Sequence, residues 1–361
     1  MRKKLLLIFG AVAAVALVLL GIYFYLSSKK VFVRLPEPES FSQIKTSDIP
    51  GNFTNVLLLG YGGAGHEGGS LMDAIILLAV EPQEKKAALI SIPRDLWTPI
   101  PTDFDNTTNH KINEAYALAL DGRYPNKRTE FRGDLGGWNL IKYAVGTVSG
   151  ILPKYFIAVD FSGFKKAIDI LDGVRVNVPR SYDDSFYPIK GKENDLCGKS
   201  LEEVEVLKVK YSGFELEKQF ECRFEQIHFD KGTLEMDADT ALKYVRSRHG
   251  DGDFGRSERQ FALLAAIVDK AVSLGAIPKG GRVLDSLVST TKTDLDKSEI
   301  KNLLEIIGTP EGYKKVSIHL TEDNVLKSGV APGGAFILYP KEGLGNFTGI
   351  KNFIKESIIS L

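Results

Sequence analysis

The longest apolar stretch in the chain, Leu5 to Leu26, contains no charged residue. A helix needs about 20 apolar residues to span a bilayer, so this run predicts one transmembrane helix. Arg2, Lys3 and Lys4 precede it, and Tyr23, Phe24 and Tyr25 close it as an interfacial aromatic belt would. A cleaved signal peptide has a shorter apolar core and a small-x-small site, whereas Ser-Ser-Lys-Lys follows here, which favours an uncleaved anchor. Lys29, Lys30 and Arg34 weaken the charge bias across the span. The short basic tail still orients it, with residues 1–4 in the cytoplasm, 5–26 in the membrane and the rest outside. Residues 27–52, with Pro36, Pro38 and Pro50, read as an extracytoplasmic linker.

After the linker the pattern changes. Asn55–Leu59, Ala74–Val80 and Lys86–Ile92 are short apolar runs bounded by turn residues, which predicts buried strands. Glu81-Pro82-Gln83-Glu84 is a turn between the second and third. Tyr155–Asp160 and Val174–Val178 read as further strands. Helical periodicity marks Trp138–Val148, Gly163–Leu171, Ala238–Val245, Ser257–Ala271 and Lys297–Ile307. Strands mixed with helices, some joined as hairpins, predict an α/β fold over residues 53–361: an α/β/α layered domain with a mixed central sheet. The stretch from Arg180 to Phe229 is charge-rich and lacks long helical periodicity, so it reads as an inserted lobe of about residues 180–230.

Composition narrows the function. Lys+Arg and Asp+Glu both number 46, so bulk attraction to nucleic acid is not expected and any anion site must be a local cluster. Cys197 and Cys222 are the only two cysteines, too few for a disulfide scaffold or a zinc site. An exported domain would let them form a disulfide that ties down the lobe; two buried thiols are the alternative.

The densest chemistry lies in Tyr244–Gln260. Arg246 and Arg248 are two apart, so on extended backbone their guanidiniums point to one side. Arg256 and Gln260 are four apart at the start of a helix and share a face. Asp251 or Asp253 can cap that helix. Three arginines near a helix start favour an anion, and the guanidinium fork suits phosphate or pyrophosphate. Interleaved acids leave open a salt-bridged surface segment, against which the Gly250-Asp-Gly-Asp-Phe-Gly255 loop argues for defined backbone geometry.

Leu89-Ile-Ser-Ile-Pro-Arg-Asp95 ends a strand and projects Arg94 and Asp95, either into a site or into a salt-bridged loop. Asp73 opens a strand and is a metal ligand or a turn residue. In His110–Tyr116, Lys111 meets a phosphate or begins a solvated helix. Gly60–Gly69 is glycine-rich but lacks the Lys-Ser/Thr of a P-loop, so a flexible loop is the plainer reading.

Taken in order, these segments resemble the LytR–CpsA–Psr family of bacterial cell-envelope proteins. The matching pieces are the anchor, Asn55–Gly60, Asp73, Ser91-Ile-Pro-Arg-Asp95, Lys111-Ile-Asn-Glu-Ala-Tyr116, Val159-Asp-Phe-Ser-Gly-Phe164, Tyr244-Val-Arg-Ser-Arg248, Gly252-Asp-Phe-Gly-Arg256 and Arg259-Gln260. The resemblance implies a phosphotransferase that moves a glycopolymer from a polyprenyl-pyrophosphate carrier to peptidoglycan outside the membrane. It implies that Arg94, Arg246, Arg248, Arg256 and Gln260 hold the pyrophosphate and that Asp73 holds Mg²⁺. Asp253 would orient an arginine or help activate the acceptor hydroxyl. Lys111 and Asp95 are candidate substrate contacts, and Lys190, Lys192 and the lobe are candidates for acceptor choice. The lipid tail would lie in an apolar channel between helices and sheet. One departure stands out: the family's Gly-x-Asp-x-Arg after the first strand is here Gly60-Tyr-Gly-Gly-Ala, and Leu71 stands where an arginine is usual. A module that binds polyprenyl phosphates without transfer, or a regulator of envelope assembly, are the alternatives. A regulator of transcription is disfavoured by the neutral, exported chain.

Overall fold

Three apolar runs open the domain as an antiparallel meander of β1 (Thr54–Tyr61), β2 (Met72–Glu81) and β3 (Lys86–Ser91). The turn predicted at Glu81–Glu84 joins the last two, with Lys85 in the left-handed region. A hairpin of β4 (Trp97–Pro101) and β5 (Thr107–Lys111) leads into helices α1 (Ala115–Leu120) and α2 (Gly133–Ser149). β6 (Tyr155–Asp160) returns beside β1, followed by α3 (Phe161–Ile170) and β7 (Val174–Val178). β8 (Tyr182–Pro188) and β9 (Phe224–Phe229) form a ribbon whose tip carries α4 (Leu201–Lys210) and α5 (Gly213–Glu217). β10 (Gly232–Met236) pairs with β7, and α6 (Ala238–Arg246) and α7 (Gly252–Ser273) follow. β11 (Thr291–Thr293), β12 (Lys314–His319), the hairpin β13 (Leu326–Val330) and β14 (Phe336–Pro340), and α8 (Thr348–Ile359) come last.

The computed structural model describes residues 38–66, 68–273, 291–295, 299 and 312–361, and the side chains of all of these except 253, 268, 269 and 271–273. The expected anchor at 5–26, residues 27–37 of the expected linker and all but Glu299 of the expected helix Lys297–Ile307 lie outside the described residues. No described helix is long and apolar enough to cross a membrane.

The central sheet runs β11-β6-β1-β2-β3-β12. β1/β6 and β3/β12 are parallel and the other neighbours antiparallel, so the sheet is mixed, as expected. Helices cover both faces. On one, Leu57, Leu77 and Phe156 share a cross-strand row and join a core built from α1, α2 and α8. There the ring of Trp138 stacks on Phe156 at 4.6 Å, and both are fully buried. On the other face stand α3, α6 and α7. Their core is a separate cluster, formed with β7, β8 and β9 by residues such as Ile168, Tyr244 and Leu263. Val174–Val178 is thus a strand as expected, but it belongs to this second layer and not to the central sheet.

The lobe at 180–229, which shows no long helical periodicity in sequence, nevertheless carries two helices. α4 spans ten residues and begins with a full capping box, in which Ser200 accepts from the Glu203 amide and Glu203 accepts from the Ser200 amide. Only Val204 of α4 is buried, so apolar periodicity could not reveal the helix. Cys197 and Cys222 are joined in a disulfide, Cα to Cα 5.6 Å, which closes the base of this tip. The reading of two buried thiols is set aside.

Candidate functional site

The sheet face under α3, α6 and α7 is not filled. A cavity of about 530 Å³ lies between them. The strand register sets its floor: Leu58 pairs with Ile76 and Ile157 in one row, and Gly60 with Ala74 and Val159 in the next. Side chains alternate across a strand, so residues of such a row share one face. The roof is apolar as well, with Phe164, Leu242, Val245, Leu264 and Ile267. The small Gly60–Ala74 row deepens the floor next to Asp73. A side chain at Gly60 would crowd the Ala74 methyl at 3.2 Å.

Six of the polar residues singled out in the sequence gather at this cavity. Asp73, Arg94, Arg246, Arg248, Arg256 and Gln260 all line it. They arrive from four places: the start of β2, the loop after β3, the end of α6 with the residues beyond it, and the first turns of α7. Arg246 is the last residue of its helix. Ser247 then turns extended, which lets Arg246 and Arg248 reach the same cavity, though only part of the segment is extended. Arg256 is buried, and Gln260 follows one turn later on the same helix face.

Ion pairing separates these cations. Arg94 is held from two sides, Nη1 to Asp73 Oδ1 at 2.5 Å and Nε to Asp95 Oδ2 at 3.3 Å. Asp95 is itself gripped by Lys111 at 2.6 Å. Asp95 and Lys111 do not line the cavity. They stand behind Arg94, where Asp95 pairs with its guanidinium and Lys111 pairs with Asp95. By contrast, neither Arg246 nor Arg248 has an ion pair with any described residue. The Arg246 guanidinium lies over the Phe161 ring at 4.4 Å, with Tyr187 Oη at 3.4 Å. Burial pushes the Tyr187 phenol above its usual pKa, opposed by the Arg246 charge, so the hydroxyl stays neutral. Two guanidiniums that face a shared cavity without an ion pair to any described residue are not a salt-bridged segment, and their arrangement suits an anion.

The loop between α6 and α7 is held by groups the sequence gave little sign of. Asp184, on β8, is almost fully buried and accepts the Ser247 hydroxyl and the amides of Arg248 at 3.0 Å and His249 at 3.2 Å. A carboxylate that absorbs successive backbone donors fixes where Arg248 emerges. Arg259, one position before Gln260, points away from the cavity. It donates to Tyr244 O at 2.7 Å, to Ser247 O at 2.6 Å and to the Asp251 carboxylate, and its guanidinium lies 4.0 Å from the Tyr182 ring centre. Asp251 is therefore spent on Arg259. The side chain of Asp253, the other candidate cap and a candidate catalytic group, lies outside the described residues. Helical spacing alone distinguishes the two arginines: Arg256 falls on the face of Gln260 and Arg259 does not.

The glycine-rich loop after β1 is folded by its own hydrogen bonds, Gly63 N to Gly69 O at 3.0 Å and Gly69 N to His66 O at 3.0 Å, so it is not a bare flexible loop. Gly63 has φ +81°, and a side chain there would strike Asp160.

The family model for the LytR_cpsA_psr family matches residues 22–331. This chain belongs to that family. Among its relatives, the polyisoprenyl-teichoic acid–peptidoglycan teichoic acid transferase TagU of Oceanobacillus iheyensis is 28% identical over 253 residues, 69% of this chain and 61% of the relative. The matched part thus spans about three fifths of that relative's length. The transferase TagT of Bacillus subtilis is 27% identical over 86% of this chain and 80% of its own. The crystal structure of B. subtilis TagV superposes with a TM-score of 0.55 at 22% identity, covering 85% of this chain and 98% of that one. The LytR_cpsA_psr fold, with its mixed sheet between helical layers, is therefore the fold of this chain.

The family resemblance implies a magnesium ion. The donors can be tested against it. Asp73 offers one carboxylate, with Oδ1 taken by Arg94. Among the described residues no cluster of three carboxylate, His or Cys ligands lies at the cavity. Magnesium often keeps several waters and takes one or two carboxylates plus phosphate oxygens. The residues present therefore fit an ion shared with a bound phosphate, not one caged by protein alone.

Proposed function

We propose that this chain transfers a glycopolymer phosphate from a polyprenyl-pyrophosphate carrier to a peptidoglycan acceptor. The observation that carries this reading is one cavity with an apolar floor and roof and a cluster of arginines at its polar end. A lipid-linked pyrophosphate has that same division between an apolar tail and a doubly charged head. The transferase names of the relatives support the same reaction class.

The chain is read as membrane-tethered. Residues 1–4 lie inside, 5–26 span the bilayer, and 27–52 lead to the domain, although Phe41 and Ile44 of that stretch are already buried in the domain core; the domain, with its lobe at about 180–230, works outside. The disulfide in the lobe supports an oxidising compartment. Tethering keeps the cavity within reach of a carrier that cannot leave the membrane.

Phosphoryl transfer of this kind needs positioning and charge neutralisation more than covalent chemistry. Arg246, Arg248 and Arg256 would take the pyrophosphate oxygens, with Gln260 as a neutral donor. Arg94, fixed by Asp95 and Lys111, would hold Asp73 in place. Asp73 would hold the magnesium ion, which neutralises charge building on the phosphates when bound. The acceptor hydroxyl oxygen forms the new bond to the glycan-linked phosphorus. The bond from that phosphorus to the bridging oxygen breaks, and polyprenyl phosphate leaves with the electron pair. The hydroxyl proton passes to a carboxylate, for which Asp253 is the candidate.

A second reading, retention of the carrier without transfer, is favoured by Gly62 and Leu71, which stand where the family usually has a carboxylate and an arginine. The test is to incubate the full chain in detergent with a polyprenyl-pyrophosphate glycan, Mg²⁺ and a peptidoglycan acceptor. Transfer of glycan to the acceptor is expected. Tight binding with no transfer would overturn the enzyme reading and leave the carrier module.

A further inference from the structure

A second cavity, of about 240 Å³, shares Asp73, Ala74, Arg256 and Gln260 with the first. Its other walls come from a different quarter of the fold: the end of β3, the start of α7, the loop after β12, and β14. The two cavities therefore meet at the phosphate-binding residues and lead away from them into different surroundings. We propose that this second cavity seats one sugar ring of the acceptor glycan and delivers its hydroxyl to the phosphorus. The proposal rests on the transfer reading above.

Three features argue for it. The first is direction. In phosphoryl transfer the attacking and leaving oxygens lie roughly in line through phosphorus. If the lipid phosphate departs into the apolar cavity, the acceptor must reach the shared residues by another route, and the second cavity, walled by β14 and the loop after β12, supplies one. The second is chemistry. Glu322 and Asp323 are exposed on the rim and make no side-chain ion pair with any described residue. Free carboxylates accept hydrogen bonds from sugar hydroxyls and amides, and they repel a polyanionic donor chain. Phe254 and Phe336 are exposed on the same cavity, and Ser257 and Thr321 add hydroxyls. Exposed aromatic rings offer apolar faces to the C–H side of a sugar ring. The volume lies below the range usual for drug-sized ligands, which suits one ring and not a chain.

The third feature is rigidity. The Asn324 side chain accepts the amides of Thr321 at 2.8 Å and Val325 at 2.7 Å and donates to His319 O at 2.8 Å. This folds the Thr321–Asn324 turn onto the end of β12, so the two carboxylates are presented from fixed backbone. Next to it, His319 Nδ1 lies 2.8 Å from Ser257 Oγ, with the imidazole between the Phe254 and Phe261 rings. β12 and α7 are thereby locked across the cavity wall. Lys190, Lys192 and the disulfide-bounded lobe, read from sequence as candidates for acceptor choice, do not line this cavity.

The test uses the full chain in detergent with a soluble, uncross-linked peptidoglycan oligosaccharide as probe. Binding of the oligosaccharide is followed by calorimetry, and glycan transfer is followed separately. Losing hydrogen bonds to charged groups should weaken oligosaccharide binding about tenfold in the double variant Glu322→Gln/Asp323→Asn. Phe336→Ala should weaken it too. Both variants should retain the polyprenyl-pyrophosphate lipid as the unmodified chain does. If the unmodified chain transfers glycan and both variants bind and use the oligosaccharide unchanged, the acceptor assignment is overturned and the transfer reading stands. If the unmodified chain binds the oligosaccharide, the variants lose it, and nothing is transferred, the cavity assignment stands and the transfer reading fails.

Discussion

The two faces of the central sheet carry nearly the same kind of residue and are used in opposite ways. Leu57, Leu77 and Phe156 on one face are sealed under Trp138 and its neighbours. Leu58, Ile76 and Ile157, each one position along, face a cavity of about 530 Å³. Protein interiors are close-packed, and apolar walls without partners lose dispersion contacts. A fold that fills one face and leaves the other hollow, with arginines free of ion pairs among the described residues at the end of the hollow, supports the proposed apolar ligand with an anionic head.

The comparison predicts unequal costs of truncation. Trp138→Ala should lower unfolding free energy by about 4 kcal/mol, because it empties a filled core. Leu58→Ala should cost about 1 kcal/mol or less, since that side chain already borders open space. Urea unfolding of the full chain in detergent checks both. Equal losses would mean that the second face is as tightly packed as the first.

At the polar end, Arg246→Ala should weaken retention of polyprenyl pyrophosphate about 100-fold, the usual scale for a charge-assisted, partly buried contact. Arg123→Ala, on a surface arginine paired with Asp121, should leave retention unchanged. Lipid retention by the purified variants reads both, and an unchanged Arg246→Ala variant would separate the arginines from the cavity.

A smaller effect follows from His319, which burial pushes from 6.5 down to about 4. The unfolded chain then takes up a proton between those values that the folded chain does not. The contribution of His319 is constant above about pH 6.5 and destabilises the fold progressively as pH falls toward 4. The loss should reach about 2 kcal/mol after allowance for partial exposure. Unfolding midpoints measured from pH 7 to pH 4 should flatten in His319→Gln. An equal slope in both proteins would place the acid sensitivity elsewhere.

Much of this was legible from residue patterns. The strands at 55–59, 74–80, 86–92 and 155–160 and helices α2, α3, α6 and α7 follow from apolar spacing, whereas α1, α4, α5 and α8 do not; the cavity arginines follow from guanidiniums at i, i+2 and a helix start. What could not be read was whether a buried-looking strand face meets side chains or empty space. β2 is apolar without a break from Ala74 to Val80, and both of its faces read alike there. Asp184 was equally hidden. It sits 62 positions before Arg246 in the chain, and only the β8–β9 ribbon brings it under the arginine loop. Helix α4 had a local sign in Ser200-Leu-Glu-Glu203, but its polar surface masked it. Asp95 and Lys111 carried the right chemistry for a phosphate, and only their mutual pairing behind Arg94 gives them a positioning role.

The central claim is that the hollow face holds a polyprenyl chain whose pyrophosphate meets the arginines. Mass spectrometry of lipids extracted from the purified full chain tests it most directly, beside an Ala167→Trp variant that fills the cavity from α3. The account predicts a polyprenyl phosphate or pyrophosphate bound to the unmodified chain and its loss from Ala167→Trp. Equal loading of both proteins, or an unmodified chain carrying only lipids without phosphate, would contradict it.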